Sequence, residues 1–516
     1  MALDASTFET IPPSRFIAFT VPHPTCSDST LRVAVLDSPL QPTDSPRVSA
    51  MLVPEGRETD WIFSTELGHL QLLFSSPGIS RLILIGTLFK EGTLTLLQSR
   101  AYHRSLECSL QHQGFEVWSK PLLLALSPKS LFKRGIPEIP LLSYEDSLVS
   151  SVVVHECVGC HVGEMLVEDV EIENESDHGR EFRRRLRFKR MPNLIQTEIC
   201  IIPERDCDGV CIGGDVGFVP DLKVLVHPYL GPMVAGLVLN SEYVEGRIRM
   251  GFRPKALCLG VGGGALMTFL RNQLGFEVMG VDSDREVLRV ARKYFGLEEC
   301  EFVRVVVGDA FESMNKLVCG GKLNGRRSSF DDCEVNGFGG HLVVEDEVNC
   351  KFDVVMVDLD SSDVRNGVRS PPLEFIRKDV LLAAKLVLCE FGILAINVIP
   401  PSRSFYDNLV SHFQEVFHEL YKIDVGNGEN FVLIATASPL VFSVEDCAAL
   451  HLALDPIAFS KLMPCHSLLV LRSTSSMEKQ ASQVSTEDFQ NGFKSSKVHD
   501  IFFFFFFYAF GKSELL

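Results

Sequence analysis

The sequence predicts an α/β protein in which a Rossmann-like sheet follows a smaller, β-rich N-terminal domain. Three observations predict it. An apolar run, Ala256 to Leu259, leads into a turn carrying Gly260, Gly262, Gly263 and Gly264, and then into a segment with Leu266, Phe269, Leu270 and Leu274 on one helical face. A second apolar run, Val278 to Val281, ends in Asp282, twenty residues beyond Gly262. Strand-like and helix-like segments then keep alternating to about Thr436, whereas Leu141 to Ile202 is mostly strand-like.

The glycine turn points to a ligand. Glycines lack Cβ atoms and let backbone approach a bound molecule, and the start of the following helix offers unpaired N–H groups. A carboxylate at the tip of the next strand is placed to take the hydroxyls of a ribose. A dinucleotide or the adenosine of S-adenosylmethionine would suit this arrangement. The dinucleotide pattern is G-x-G-x-x-G, but here Gly260, Gly262 and Gly264 are spaced G-x-G-x-G and residue 265 is Ala, which favours adenosylmethionine.

At 516 residues, two or three domains are expected. We read an extension over 1–50, a β-rich domain over 51–220, the ligand-binding domain over 221–440 with a flexible insertion at 319–350, and a C-terminal segment over 441–516. A hydrophobic content of 46% with 22% charged residues is that of a soluble globular protein. A net charge of −18 argues against binding a nucleic-acid backbone and suits a basic protein or cationic small substrate. The N-terminus has no basic segment followed by an apolar core, and no apolar run reaches the roughly 18 residues of a membrane span. With 15 cysteines, several inside strand-like runs, reduced thiols and a cytoplasmic location are expected.

In chain order, Arg15 to Val21, Leu31 to Leu36 and Arg81 to Gly86 read as strands, with an amphipathic helix ending near Leu73 between the last two. Glu58 and Asp60 beside Arg57 read as a solvated, salt-bridged turn. Strands follow at Ser151 to His155, Met165 to Glu171, Arg184 to Phe188 and Leu194 to Ile201. The basic run Arg180 to Arg190 reads as a solvated strand face. Cys157 and Cys160, flanked by His155 and His161 and joined by Cys207 and Cys211, have a spacing that zinc tolerates, but free thiols are the simpler reading and no metal is assigned. Met233 to Leu239 reads as a helix, with His227 and Tyr229 just before it where they could face a substrate. Beyond Asp284 come a helix to Tyr294, a strand from Phe302 to Val307 closing on Asp309, and a strand from Phe352 to Val357 that delivers Asp358 and Asp360 at its carboxyl end, where open α/β sheets place their chemistry. A helix, Glu374 to Leu388, a strand, Gly392 to Val398, a helix, Ser404 to Phe417, and an antiparallel pair, Glu419 to Ile423 and Phe431 to Thr436, complete the domain. The six phenylalanines Phe502 to Phe507 lack any amphipathic period and read as an aberrant, aggregation-prone tail.

The residues Val53 to Trp61, Val167 to Val170, Phe182 to Arg184, Asn193 to Glu198, Met233 to Leu239, Leu259 to Gly264, Phe352 to Ser361 and Ser370-Pro371-Pro372 resemble, in order, a known family. It is the spermidine-synthase-like branch of class I methyltransferases, and within it the C-terminal half of the methyltransferase-like protein 13 family, which modifies a lysine and the N-terminus of elongation factor 1A. The resemblance covers most of residues 50 to 437. It implies a seven-stranded class I methyltransferase sheet with S-adenosyl-L-methionine as cofactor. It also implies cofactor contacts from Gly260, Gly262 and Gly264, ribose binding by Asp282, adenine binding by Asp309, and a catalytic carboxylate at Asp358 with Asp360 beside it. The implied reaction is methylation of a protein amine, with the α-amine of elongation factor 1A the candidate acceptor. No nucleic-acid or membrane partner is implied, and the oligomeric state is left open, a homodimer included. This chain shows a single glycine turn of this kind, so lysine methylation by the family's other half is not carried over. A tyrosine expected upstream of the Met233 helix is not evident, Val224 and His227 standing nearest, and Ser370 replaces a cysteine. Two other functions stay in view: an aminopropyltransferase making polyamines, and a non-catalytic scaffold that keeps the fold.

Overall fold

A computed structural model describes residues 5–24, 29–40, 46–89, 101–104, 118–173, 179–205, 209–319, 351–360, 370–427, 430–439 and 468–471. The expected insertion beyond Cys319, Cys207 and the phenylalanine run lie outside the described residues. The chain forms two compact units, one up to Pro220 and one from Asp221 onward.

The first unit begins with β1 (Phe16–Pro22), β2 (Ser29–Asp37) and β3 (Val48–Leu52), followed by the short helices α1 (Trp61–Ser64) and α2 (Glu66–Phe74) and by β4 (Arg81–Phe89). β5 (Ala101–His103), the helix α3 (118–125) and β6 (Leu141–Leu142) come next. One sheet has the order β1-β2-β4-β3-β6, so strands on both sides of residue 50 share it. Alternation along β2 explains why it is covered twice. Leu31, Val33 and Val35 pack with Phe8, Leu123 and Leu126, while Ala34 and Leu36 pack with Phe63, Leu70 and Leu73 on the other face.

At the end of this sheet Arg81 and Asp37, both fully buried, form an ion pair with Nε 2.6 Å from Oδ1. Arg81 also donates to the carbonyls of Phe8 at 2.8 Å, Leu126 at 2.6 Å and Thr10 at 2.6 Å. One guanidinium thus ties the N-terminal turn and α3 to the sheet. Arg81→Ala would leave the buried Asp37 to Arg15, 2.8 Å away, and would release three carbonyls from their donor, and a loss of about 3 kcal/mol is expected in a urea titration.

The other sheet of this unit is antiparallel. It contains β5, β7 (Leu148–Gly159), β8 (Gly163–Glu173), β9 (Arg180–Phe188), β10 (Ile195–Pro203) and β11 (Phe218–Asp221), in the order β11-β10-β9-β8-β7-β5. The basic strand β9 is not the solvated face expected. Arg184 reaches Asp169 at 2.6 Å, Arg185 reaches Glu198 at 2.6 Å and Arg187 reaches Glu168 at 3.2 Å, with Arg184 and Arg187 buried. Cross-strand register sets these pairs, since Asp169 faces Arg184 and Glu198 faces Arg185, while Glu168, opposite Arg185, reaches Arg187 diagonally. The turn around Arg57 is not solvated either. Asp60 accepts from Arg57 at 2.8 Å and from Arg187 at 2.7 Å, and Arg57 also pairs with Asp146. Burial alone would raise the pKa of Asp60, but Arg187 and Arg57 outweigh it and hold the carboxyl down at about 2. Cys157 lies in β7 and Cys160 in the turn after it, and Cys211 is exposed.

The second unit carries α4 (Leu230–Ala235), α5 (Ser241–Arg249), β12 (Lys255–Leu259), α6 (Ala265–Leu274), β13 (Glu277–Asp282), α7 (Arg285–Tyr294), β14 (Val303–Val307) and α8 (Ala310–Val318). It continues with β15 (Phe352–Val357), α9 (Lys378–Val387), β16 (Leu388–Val398), α10 (Arg403–Val416), β17 (Glu419–Asp424), β18 (Phe431–Thr436) and β19 (Leu468–Leu471). The sheet order is β14-β13-β12-β15-β16-β18-β17-β19. The first five strands are parallel, and β18 runs antiparallel to both β16 and β17. In domain numbering this is 3-2-1-4-5-7-6 with the seventh strand reversed, the class I methyltransferase sheet. β19 adds an eighth strand to the seven expected, pairing antiparallel with β17.

The strands of this sheet are apolar on both faces, as parallel strands covered by helices must be. Ala256 and Cys258 of β12 pack with Met233, Phe269 and Leu288, and Leu257 and Leu259 with Met314, Phe375 and Phe413. The parallel strands' carboxyl ends therefore open at one edge. Their order reverses on either side of β12, which is where a crevice for a ligand forms. Among the described residues, no helix is long and apolar enough to cross a membrane.

Candidate functional site

The site forms where β12, β13, β14 and β15 end. Gly260, Gly262 and Gly264 have φ of +85°, +52° and +83°, a region L side chains rarely adopt. A Cβ on Gly260 would fall onto the carbonyl oxygen of Asp358, and one on Gly264 would meet Leu297 at 3.0 Å. The turn thus brings the end of β12 flush against the end of β15. Gly260→Ala is expected to push residue 358 out of place and to cost about 1–3 kcal/mol in backbone strain, read as a lower melting temperature.

Asp282, at the end of β13, is engaged with the same turn. Its Oδ2 accepts from the backbone N–H of Val261 at 3.1 Å and of Gly262 at 3.2 Å, and its Oδ1 from that of Asp284 at 3.0 Å. Burial raises its pKa, against the lowering effect of these three N–H groups. A carboxylate oxygen offers two lone pairs, so Oδ1 keeps one further acceptor position. Asp282 is therefore both a candidate ligand group and the clamp on the glycine turn, a second role its position at a strand tip did not disclose.

Asp309 is exposed and caps α8, its Oδ1 accepting from Phe311 and Glu312 N–H, each at 2.9 Å. Its Oδ2 takes no part in that cap.

Asp358 follows the last residue of β15, and its backbone N–H donates to Leu259 O at 2.9 Å. Two side chains hold the carboxylate: Tyr229 donates its hydroxyl to Oδ2 at 2.9 Å, and Asn397 Nδ2 donates to Oδ1 at 3.2 Å. Burial pushes Asp358 up to about 6, with Tyr229 and Asn397 opposing and the charge of Asp360 adding to the rise. The tyrosine hydroxyl is in turn driven well above its usual value by burial and by Asp358. The ring of His227 stacks on Tyr229 with centroids 5.4 Å apart. The hydroxyl of Ser370 lies 2.8 Å from Leu359 O and 3.0 Å from Asn397 O, fastening the loop after β15 to β16.

The structure thus brings Gly260, Gly262, Gly264, Asp282 and Asp358 to one crevice edge, with Asp360 bearing on Asp358 through its charge. Tyr229, read from the sequence as a residue that could face a substrate, is the donor to Asp358, although nothing local marked that partner. Asn397 was missed, because inside an apolar strand it reads as an interruption of the core. Chemically, the site offers close backbone and a carboxylate acceptor on one side. On the other it offers an ionisable carboxylate with a neighbouring acidic group, which suits a cationic or hydrogen-bond-donating nitrogen.

The chain is 24% identical over 428 residues to human eEF1A lysine and N-terminal methyltransferase, covering 78% of this chain and 53% of that protein. To the Drosophila melanogaster eEF1A lysine and N-terminal methyltransferase homolog it is 25% identical over 387 residues, 73% of this chain and 47% of that one. The chain spans about half the length of the curated relatives it matches. Among solved structures, human methyltransferase-like protein 13 in complex with SAH aligns with a TM-score of 0.36 and 20% identity, covering 51% of this chain and 100% of that one. A probable spermidine synthase from Corynebacterium glutamicum aligns with a TM-score of 0.35 and 13% identity, covering 58% and 86%. No family model matches. By sequence, the chain resembles the eEF1A lysine and N-terminal methyltransferases over about three quarters of its length.

Proposed function

We propose that this chain is an S-adenosylmethionine-dependent methyltransferase that acts on a protein amine, with the N-terminal α-amine of elongation factor 1A as the candidate acceptor. The observation that carries this reading is the carboxylate of Asp358, held by Tyr229 and Asn397 beside the glycine turn and Asp282. The names of the curated relatives support the same chemistry.

In this reading the glycine turn and Asp282 hold the cofactor's adenosine and Asp309 meets its adenine, with the spare lone pair on Asp282 Oδ1 the feature that fits a ribose. The cofactor supplies a methyl carbon on a positively charged sulfur, already activated for displacement. Asp358 accepts a hydrogen bond from the amine and aims its lone pair, and Asp360 adds charge that draws a cationic amine in. A carboxylate raises the pKa of an amine beside it, so its service is orientation, and the amine's proton leaves to water. An α-amine with a reference pKa near 8 gives up that proton easily enough for this to work at neutral pH.

The test is incubation with labelled adenosylmethionine and a cell extract, followed by identification of the labelled protein and atom. Label on a protein amine, with adenosylhomocysteine as co-product, supports the reading. Methylthioadenosine would point instead to aminopropyl transfer, which the paired acids Asp358 and Asp360 would also suit. A folded chain that binds no adenosylmethionine by calorimetry would be a scaffold.

A further inference from the structure

A line of three asparagines runs behind Asp358. Asn397 Nδ2 donates to Asp358 Oδ1 at 3.2 Å, Asn430 Nδ2 donates to Asn397 Oδ1 at 2.9 Å, and Asn427 Nδ2 donates to Asn430 Oδ1 at 2.9 Å. Asn397 is in β16, Asn430 immediately precedes β18, and Asn427 belongs to the turn between β17 and β18.

An amide side chain can point either way, so a pair of asparagines alone does not decide which end faces the carboxylate. Here the outer end decides it. The backbone N–H of Asn430 donates to Asn427 Oδ1 at 2.9 Å, and a backbone N–H cannot accept. Asn427 must therefore turn its oxygen to that N–H and its Nδ2 to Asn430 Oδ1. Each amide further in is then set the same way, and the last presents N–H to Asp358. Asn397 and Asn430 are only 3% and 6% exposed, so solvent does not replace these bonds. The ladder between β16 and β18 does not need them, because it is made by backbone groups with Asn397 opposite Val432. Buried amides at these positions cost free energy unless fully bonded, and an aliphatic residue would fill the space more cheaply.

We propose that Asn427, Asn430 and Asn397 form a one-way hydrogen-bond relay that orients Asp358 and keeps it an acceptor, tying the β17–β18 turn to the reactivity of the site. They are positioning residues acting through Asp358. The inference rests on the reading of Asp358 as the group that orients the amine. The ionisable groups bearing on Asp358 are Tyr229 from the segment before α4, Asp360 on its own loop and the buried thiol of Cys258 on β12. Asn397 is the neutral donor from β16, and weakening it leaves Tyr229 alone against burial and Asp360.

The experiment is a carbon-13 NMR titration of the full chain labelled at aspartate carboxyls, with the Asp358 signal identified by its loss in Asp358→Asn. Wild type should titrate near 6. Asn397→Leu should raise the midpoint by about one unit, Asn430→Leu by about half of that, and Asn427→Ala, at an exposed turn residue with little risk to folding, by less again in the same direction. Midpoints in folded Asn430→Leu and Asn427→Ala that match wild type overturn the relay, and if Asn430→Leu does not fold, Asn427→Ala decides. The titration needs neither cofactor nor acceptor. A chain that titrates as expected but transfers no methyl group would refute the functional reading alone, and an active chain with unmoved midpoints would refute the relay alone.

Discussion

Asp358→Asn is expected to lower the rate of methyl transfer by roughly 10²–10³-fold while adenosylmethionine affinity, measured by calorimetry, stays unchanged. The side chain keeps its shape but loses the charge that orients an amine, and its new NH₂ group competes for the lone pair that must face the methyl carbon. The pH profile makes the test sharper. Burial pushes Asp358 up to about 6, Tyr229 and Asn397 pull against it, and Asp360 adds to the rise. Activity should fall below about pH 8 in both proteins as the amine takes up its proton, and wild type should show a second loss through about 6, as the carboxylate protonates, that the variant's residual activity lacks. The stability sign is opposite. A buried acid whose folded pKa lies above its unfolded value near 3.9 costs stability when ionised, fully so above its folded pKa. The cost is relieved as pH falls from about 6 towards 4, so urea midpoints of wild type should gain in that window relative to Asp358→Asn. A second loss near pH 6 that survives in the variant would remove Asp358 from the chemistry.

The folded unit from Asp221 onward was largely legible because its signals are local. Apolar runs such as Val354 to Val357 are buried on both faces, and glycine spacing marks a turn that must reach positive φ. Asp282 and Asp358 were legible for the same reason, each ending an apolar run. What stayed hidden depends on long-range pairing. Asn397 meets Asp358 39 residues away, Tyr229 meets it from 129 residues away, and Asn430 meets Asn397 across 33 residues, through the antiparallel register of β16 and β18. No hydrophobic period encodes such a meeting. The same limit explains the turn at Arg57 and the strand from Arg180 to Phe188. Charge-rich segments read as solvated until the partners arrive, here Arg187 for Asp60 and Asp169 for Arg184. The strand β19, a short apolar run far beyond β18, pairs with β17 on an edge that the sequence does not announce.

Asp282→Ala is expected to weaken adenosylmethionine binding by about 10- to 100-fold, the worth of a hydrogen bond to a charged group. Two causes contribute, and the geometry separates them. One is loss of the ribose acceptor on Oδ1. The other is loss of the clamp by which Oδ2 accepts from Val261 at 3.1 Å and Gly262 at 3.2 Å. Without that clamp, two backbone N–H groups at a half-buried turn lose their partner, and the turn's positive-φ glycines gain freedom that binding must then remove. Asp282→Asn tells the causes apart. Its single oxygen goes to the two turn N–H groups, because facing them with NH₂ would oppose donor to donor. The NH₂ then faces Asp284 N–H and the ribose, where it can donate to a hydroxyl but cannot accept from one. The asparagine variant should therefore keep the clamp but lose the Asp284 N–H bond, melting between alanine and wild type while losing affinity, whereas alanine should lose the clamp as well. An alanine variant that binds adenosylmethionine as tightly as wild type would sink the assignment of Asp282, and with it the choice of cofactor. An asparagine variant that binds normally while alanine does not would make Asp282 the clamp alone, and would leave the ribose to the backbone of the turn.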